Sequence, residues 1–185
     1  MEHLVSLIVG IAWPAAAVWI AYLFKGELKA LLSRVTQLKY KELEAKFEKG
    51  LVEAEADARL VAQALPPALP PPETMSRLDQ LRRIAEVSPR AAIMESWVMI
   101  ETAASQAGLI SGTVIPRTNP KMIVEYLARS GKLPESSIPL IEKLRHLRNQ
   151  ANHLPEFVLT QEEAERYLEL AVKSTEVISS AREQS

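Results

Sequence analysis

Proline and glycine divide the second half of the sequence into segments of helical length, and this punctuation constrains the fold more than any other feature. Ser88-Pro89 and Asn119-Pro120 each join an N-cap residue to a proline that suits the first turn of a helix. Gly131 readily ends a helix, and Leu154-Pro155 stops one because proline has no backbone N–H. These signals predict helices over residues 74–87, 88–107, 119–130, 137–152 and from 161 onward.

Apolar stripes on these segments predict that the helices pack together. The segment over 137–152 carries a stripe at helical spacing, formed by Leu140, Leu144, Leu147 and Ala151. Thr160 and Glu163 have the spacing of a capping box at the start of the last helix. We therefore expect an all-α fold in which residues 74–185 form an antiparallel bundle of four to five helices.

Composition narrows the classes of function. The 185 residues carry a net charge of −1, so no overall basic field attracts nucleic acid. The chain contains no cysteine, which excludes disulfides and cysteine-ligated metals. Its histidines lack a metal-binding spacing and there is no glycine-rich phosphate loop, so the sequence indicates no cofactor and no metal site.

An apolar run near the start of the chain predicts a membrane anchor. Residues 4–24 contain no charged side chain, and about 20 apolar residues suffice to cross the hydrocarbon core of a bilayer. We therefore assign residues 1–24 to a single-pass transmembrane anchor. Lysine and arginine follow the run but do not precede it, which places the C-terminal domain on the cytoplasmic side of an inner membrane. The alternatives are a buried core helix and a cleaved signal peptide, although Met1-Glu2-His3 lacks the usual cationic residue of a signal peptide.

Two segments connect this anchor to the predicted bundle. Residues 25–64 have apolar side chains at mostly helical spacing among Lys, Glu and Arg, which predicts an amphipathic juxtamembrane helix. Three alternatives remain for the role of this helix: a solvated spacer, a self-association helix or a helix that lies on the membrane surface. Five prolines in residues 65–72 cannot continue a helix, so we place a semi-rigid linker and a domain boundary at 65–73. A proline-rich ligand for a partner protein is the alternative for this segment.

The densest group of polar chemistry lies at the end of the 137–152 helix. Arg148-Asn149-Gln150-Ala151-Asn152-His153 places a guanidinium, amides and an imidazole within six residues. Arg148 follows Leu144 by four positions, so it lies at the edge of the core face. Arg148 and His153 are five positions apart, which separates them by about 140° on a straight helix. They converge only if the helix frays at its end and the following turn folds His153 back.

This arrangement resembles the signature of the HEPN superfamily, the higher eukaryotes and prokaryotes nucleotide-binding domains. An Arg, an Asn, three residues and a His stand at the end of a late bundle helix, and the resemblance covers residues 88–180. The upstream helix is similar to that of a membrane-associated branch of HEPN-like proteins. The segments that carry the resemblance are Pro89-Arg90-Ala91-Ala92, Leu144-Arg145-His146-Leu147-Arg148-Asn149, His153 and Glu162-Glu163-Ala164.

The resemblance implies metal-independent cleavage of RNA by a homodimer, which leaves a 2′,3′-cyclic phosphate and a 5′-hydroxyl. His153 would act as general acid or base, and Arg148 would stabilise the negative charge that develops around phosphorus. Asn149 would orient the phosphate or the imidazole. Glu101, a carboxylate in a mostly apolar helix, would be the upstream acidic residue that positions Arg148. The setting that the resemblance implies is a toxin-like or phage-defence one.

Two other interpretations stay open. Many HEPN-like domains bind nucleotides or proteins without catalysis, so the alternative is an oligomerising interaction module at the membrane. An Arg and an Asn at the edge of a bundle also commonly bond helix ends, and a lone His in a turn often caps one. A strip of arginines could help to hold RNA, but its members are dispersed among acidic residues, and such charges usually form a solvated surface. They are Arg82, Arg83, Arg90, Arg145 and Arg148.

Overall fold

The computed structural model describes residues 13–14, 16, 18–20, 22–64, 72–108, 119–153 and 158–183. Its bounded helices are α1 (Lys25–Ala64), α2 (Pro72–Val87), α3 (Pro89–Gln106), α4 (Pro120–Ser130), α5 (Ser137–His153) and α6 (Gln161–Glu183). No strand occurs in this part of the chain, so the all-α helical bundle is confirmed. The predicted loop at 109–118 and most of the predicted proline-rich linker lie outside the described residues.

The predicted transmembrane anchor is wrong. Among the described residues, no helix is long and apolar enough to cross a membrane. The described part of the apolar run ends in a turn at Phe24, and α1 then carries charged side chains along its whole length. A span needs about 20 consecutive, mainly apolar residues, and the described helices do not supply them. The predicted single-pass localisation depended on this span and is therefore also wrong. Residues 4–12, 15, 17 and 21 of the apolar run lie outside the described residues.

The chain forms two compact units, residues 1–42 (the first unit) and residues 43–185 (the second unit). Within the second unit, α3 and α6 make the most extensive contact, α2 packs against both, and α5 also packs against both. α4 contacts α5 and α3. Large, fully buried side chains fill the space between these helices, among them Trp97, Leu144 and Tyr167. The predicted core face of α5 is confirmed, because all four residues of its stripe are buried.

The C-terminal half of α1 shares the core of the second unit. Five of its residues, spaced alternately four and three positions apart, are buried: Phe47, Leu51, Ala54, Ala58 and Val61. A Cβ on Gly50 would lie 2.9 Å from Cδ2 of Leu147, so the α1 backbone closely approaches α5 there. Nζ of Lys143 on α5 lies 2.8 Å from Oδ2 of Asp57 on α1. Because residue numbers rise along α1 as they fall along α5, the two helices run antiparallel at this contact.

An ion-pair cluster joins α1 to α6 beside this apolar contact. Nε of Arg166 lies 2.6 Å from Oε1 of Glu55, and its Nη1 lies 2.8 Å from Oε2 of Glu48. The two carboxylates raise the pKa of Arg166 above its usual range, chiefly through the hydrogen bond to Glu55. Residues 43–64, which the sequence analysis grouped with the connecting helix, thus contribute both apolar and ionic contacts to the bundle.

Local capping chemistry sets the helix ends much as the punctuation predicted. Oγ of Ser88 accepts from the backbone N–H of Ala91 at 3.3 Å at the start of α3. Gly131 follows α4 with a φ of 63°, a left-handed conformation that glycine adopts without steric cost. At the start of α6, Glu163 accepts from the N–H of Thr160 at 2.8 Å, and Oγ1 of Thr160 accepts from the N–H of Glu163 at 3.2 Å. The predicted capping box is therefore confirmed.

Candidate functional site

Arg148 and Asn149 lie together at the edge of the core face of α5. Leu147 on one side and Ala151 on the other are buried, whereas both polar side chains are half-buried. Nη1 of Arg148 donates to Oδ1 of Asn149 at 3.2 Å. The amide therefore holds one edge of the guanidinium, and the two residues form a single polar unit.

Two buried polar atoms in this part of α5 have no hydrogen-bond partner among the described residues: Nε of Arg148 and Oε1 of Gln150. Leaving a buried donor or acceptor unpaired costs about 1–3 kcal/mol. Such atoms are rare in native proteins, and a binding or catalytic role is one recognised reason for them. The guanidinium thus has a donor that the described packing of this chain does not use.

Tyr167 of α6 contacts α5 one turn before this unit. It is fully buried, and its hydroxyl donates to the backbone carbonyl of Leu144 at 3.1 Å. Burial raises the pKa of Tyr167 well above its usual range, the charge of Arg148 opposes this rise, and the charge of Glu101 adds to it.

Glu101 is half-buried on α3 and is held by a neighbour on its own helix. Nε1 of the buried Trp97 donates to Oε1 of Glu101 at 2.7 Å. The indole body thus packs in the core while its N–H fixes the carboxylate at the edge, which is a common use of buried tryptophan. The structure thus pairs Arg148 with Asn149 on α5, joins Tyr167 to the preceding turn of α5, and holds Glu101 through Trp97 on α3.

His153 is exposed at the last position of α5 and is not part of this group. Because α5 stays helical through His153, the side chains of Arg148 and His153 leave the helix about 140° apart. The convergence of the two side chains at a frayed helix end, which the sequence analysis required, is not seen within the described residues. His146, the other histidine of α5, lies 3.1 Å from Oε1 of Glu142 through its Nε2.

Sequence reasoning gave Tyr167 and Trp97 only a place in the core and did not single out Arg90 as a contact of the motif. The residue types of Tyr167 and Trp97 could have indicated their polar contacts, because a buried phenol and a buried indole usually need hydrogen-bond partners. Arg90 of α3 donates through Nη1 to the backbone carbonyl of Ala151, inside the six-residue motif. The sequence signal for this contact is Pro155, which lies four residues after Ala151 and lacks an N–H.

The dispersed basic residues do not form one uninterrupted basic surface. Arg82 lies 3.6 Å from Oδ1 of Asp79, and Nε of Arg145 donates to Oε2 of Glu142 at 3.0 Å. The hydrogen bond from Arg145 lowers the pKa of Glu142 below its usual range. In the part of the chain that the structure describes, no group of three or more His, Asp or Glu side chains is arranged to hold a metal ion.

Comparison with protein families, curated proteins and solved structures finds no match to this chain. The HEPN resemblance therefore stays a prediction that rests on the residues and their spacing.

Proposed function

We propose that this chain is a HEPN-like, metal-independent endoribonuclease that acts as a homodimer on RNA. The observation that supports the proposal is the half-buried and incompletely hydrogen-bonded guanidinium of Arg148. This guanidinium stands beside the motif residue Asn149, is half-buried, and has a buried Nε with no partner among the described residues. An acceptor from a second protomer or a phosphate oxygen would satisfy the remaining donors of the group.

The surroundings of Arg148 favour a role in charge stabilisation. Asn149 holds one edge of the guanidinium, and the buried Tyr167 hydroxyl ties α6 to the turn of α5 that precedes Arg148. Donors that are already positioned before the reaction stabilise developing negative charge without reorganisation during it. Glu101, whose carboxylate accepts from Trp97, is proposed as the acidic residue that positions Arg148.

The geometry of α5 favours a site that two protomers share. Within one chain, Arg148 and His153 leave the helix about 140° apart, so the two side chains do not face one phosphate together. His153 is exposed and is therefore accessible to a second copy or to RNA. We propose that Arg148 of one protomer acts with His153 of its partner.

The proposed reaction is an internal transesterification of RNA. The 2′-hydroxyl oxygen attacks phosphorus and loses its proton, the bond from phosphorus to the 5′-oxygen breaks, and that oxygen gains a proton. His153 transfers one of these protons, and Arg148 stabilises the added charge on the phosphoryl oxygens. The products are a 2′,3′-cyclic phosphate and a 5′-hydroxyl, so water is not consumed in the step.

The experiment is RNA cleavage by the purified full chain, with analysis of the product ends. His153→Ala and Arg148→Ala should each lower the rate by about 10²–10⁴, the usual effect of losing a positioned acid–base group or charge donor. Asn149→Ala should cause a smaller loss. EDTA should not inhibit, and expression in cells should arrest growth only with the active protein, in keeping with a toxin-like or defence role.

His146→Ala is the matched control, because His146 is a second exposed histidine on the same helix. It should cut RNA at the wild-type rate. Mixing the Arg148→Ala and His153→Ala proteins should restore part of the activity, since one protomer supplies each missing group. If the wild-type chain leaves RNA intact, or if His153→Ala is as active as His146→Ala, the nuclease proposal is wrong.

The second candidate is a noncatalytic HEPN-like module that binds a nucleotide or a protein. The separation of the exposed His153 from the half-buried Arg148 favours it, because binding an anion needs the guanidinium but no acid–base group. Binding of labelled RNA or nucleotide that Arg148→Ala abolishes and His153→Ala leaves unchanged, without any cleavage, would support this candidate.

A further inference from the structure

The end of α5 has an unusual requirement that the sequence creates. In an α-helix the carbonyl of Ala151 would accept from the N–H of residue 155, but that residue is proline and has no N–H. The proline ring would also clash with the carbonyl four residues before it if the helix continued. The Ala151 carbonyl therefore lacks its usual donor and is open to one from another part of the chain.

Arg90 supplies that donor from α3. Its Nη1 donates to the Ala151 carbonyl across 61 positions of sequence. Arg90 is in the first turn of α3, where Ser88 caps the helix by accepting from the N–H of Ala91 at 3.3 Å. The capped first turn gives the arginine a fixed base, and its positive charge is favourable beside the C-terminal carbonyls of α5.

This contact lies inside the six-residue motif. Ala151 is three residues after Arg148 and two before His153, so whatever holds its carbonyl also sets the direction in which the last turn of α5 presents His153. We infer that Arg90 is a positioning residue for His153, acting through the Ala151 carbonyl. The catalytic part of this inference rests on the proposed nuclease function, whereas the structural part does not.

The first test measures the helix end itself in the full-length protein. Amide hydrogen exchange by NMR should show that the amides of Asn152 and His153 exchange about ten- to hundredfold faster in Arg90→Ala, because a hydrogen bond from a charged donor is lost. The ring signals of His153 should shift as well. The amide of Leu144, in the buried part of α5, should change far less.

The second test is kinetic and uses RNA cleavage. Arg90→Ala should lower kcat about tenfold and leave KM nearly unchanged, since a misdirected acid–base group weakens the transition state without removing a substrate contact. Arg90→Lys should recover part of both effects, because an ammonium group can donate one hydrogen bond to the carbonyl. Arg59→Ala is the control, as it removes an exposed arginine of α1 and the same charge.

Three results would overturn the inference. The exchange of Asn152 and His153 could be unaltered in Arg90→Ala, or all of α5 could exchange faster to the same degree, which would indicate a general loss of stability. Arg59→Ala could also match Arg90→Ala in both measurements. If the wild-type chain does not cut RNA, the proposed function fails, and the exchange rates together with the His153 ring signals still decide whether Arg90 positions this helix end.

Discussion

Replacing Tyr167 with phenylalanine tests the link between α6 and the Arg148 segment of α5. The change keeps the buried ring and removes only the hydroxyl that donates to the Leu144 carbonyl at 3.1 Å. In a helix the same carbonyl accepts from the N–H of Arg148, so it keeps one partner after the substitution. The free energy of unfolding should therefore fall by about 1 kcal/mol, the net value of one hydrogen bond, rather than by the larger cost of an orphaned carbonyl.

The pH dependence of this difference provides a sharper test. Burial raises the pKa of Tyr167 in the folded state, so above the unfolded-state value of about 10 only the unfolded chain loses the proton. Stability that is fully present below this pH is then lost as the pH rises toward the folded-state pKa, by up to about 1.4 kcal/mol per pH unit. The advantage of wild type over Tyr167→Phe should shrink above pH ~10 and disappear near pH ~11.

The assay is urea unfolding followed by circular dichroism at several pH values between 7 and 11. In a separate thermal unfolding measurement at neutral pH, the melting temperature of Tyr167→Phe should lie about 2–4 °C below that of wild type. Tyr126→Phe, which removes the half-buried phenol of α4, controls for the loss of one titratable group. A stability gap between wild type and Tyr167→Phe that stays constant from pH 9 to 11 would refute the burial argument. A neutral-pH loss above about 3 kcal/mol would show that the hydroxyl has contacts beyond a single hydrogen bond.

Two further predictions concern the packing of α1 on the bundle. A double-mutant cycle on Arg166 and Glu55 should give a coupling of about 1 kcal/mol, whereas the more exposed pair of Lys49 and Glu53 should give almost none. Equal couplings would contradict a stabilising role for the ion-pair cluster between α1 and α6. Removing the first unit should leave a cooperative thermal transition. Removing residues 1–64 should lower the free energy of unfolding by several kcal/mol, because five buried side chains of α1 are lost. Equally cooperative melting of both truncated proteins would show that the bundle does not need α1.

Helix boundaries were predictable because the signals that set them act within about four residues. Ser88, Gly131 and the pair of Thr160 and Glu163 do in the structure what their types and spacing indicate. The apolar stripe of α5 was equally predictable from local sequence, because helical periodicity alone places its residues on one face. The transmembrane prediction failed because it counted apolar residues over a window, whereas the described helices include no apolar segment of sufficient length.

The place of α1 depended on packing between distant segments. The prolines between α1 and α2 cannot continue a helix, and the sequence analysis placed a domain boundary there. Breaking a helix does not prevent the segments on either side from sharing a core, and Phe47 and Leu51 are fully buried in the second unit. The spacing of the apolar residues of α1 marks one face of the helix, but which partner covers that face depends on contacts such as Gly50 against Leu147 and Arg166 with Glu55.

The candidate site shows the same division within a few residues. The neighbours Arg148 and Asn149 follow from adjacent positions on one helix, and Pro155 by itself determines that the Ala151 carbonyl lacks a helical donor. That Arg90 fills this need, and that Tyr167 reaches Leu144, depends on how α3 and α6 pack against α5. Local sequence specifies which backbone groups require a partner, while the side chain that becomes the partner is chosen by burial of the whole core.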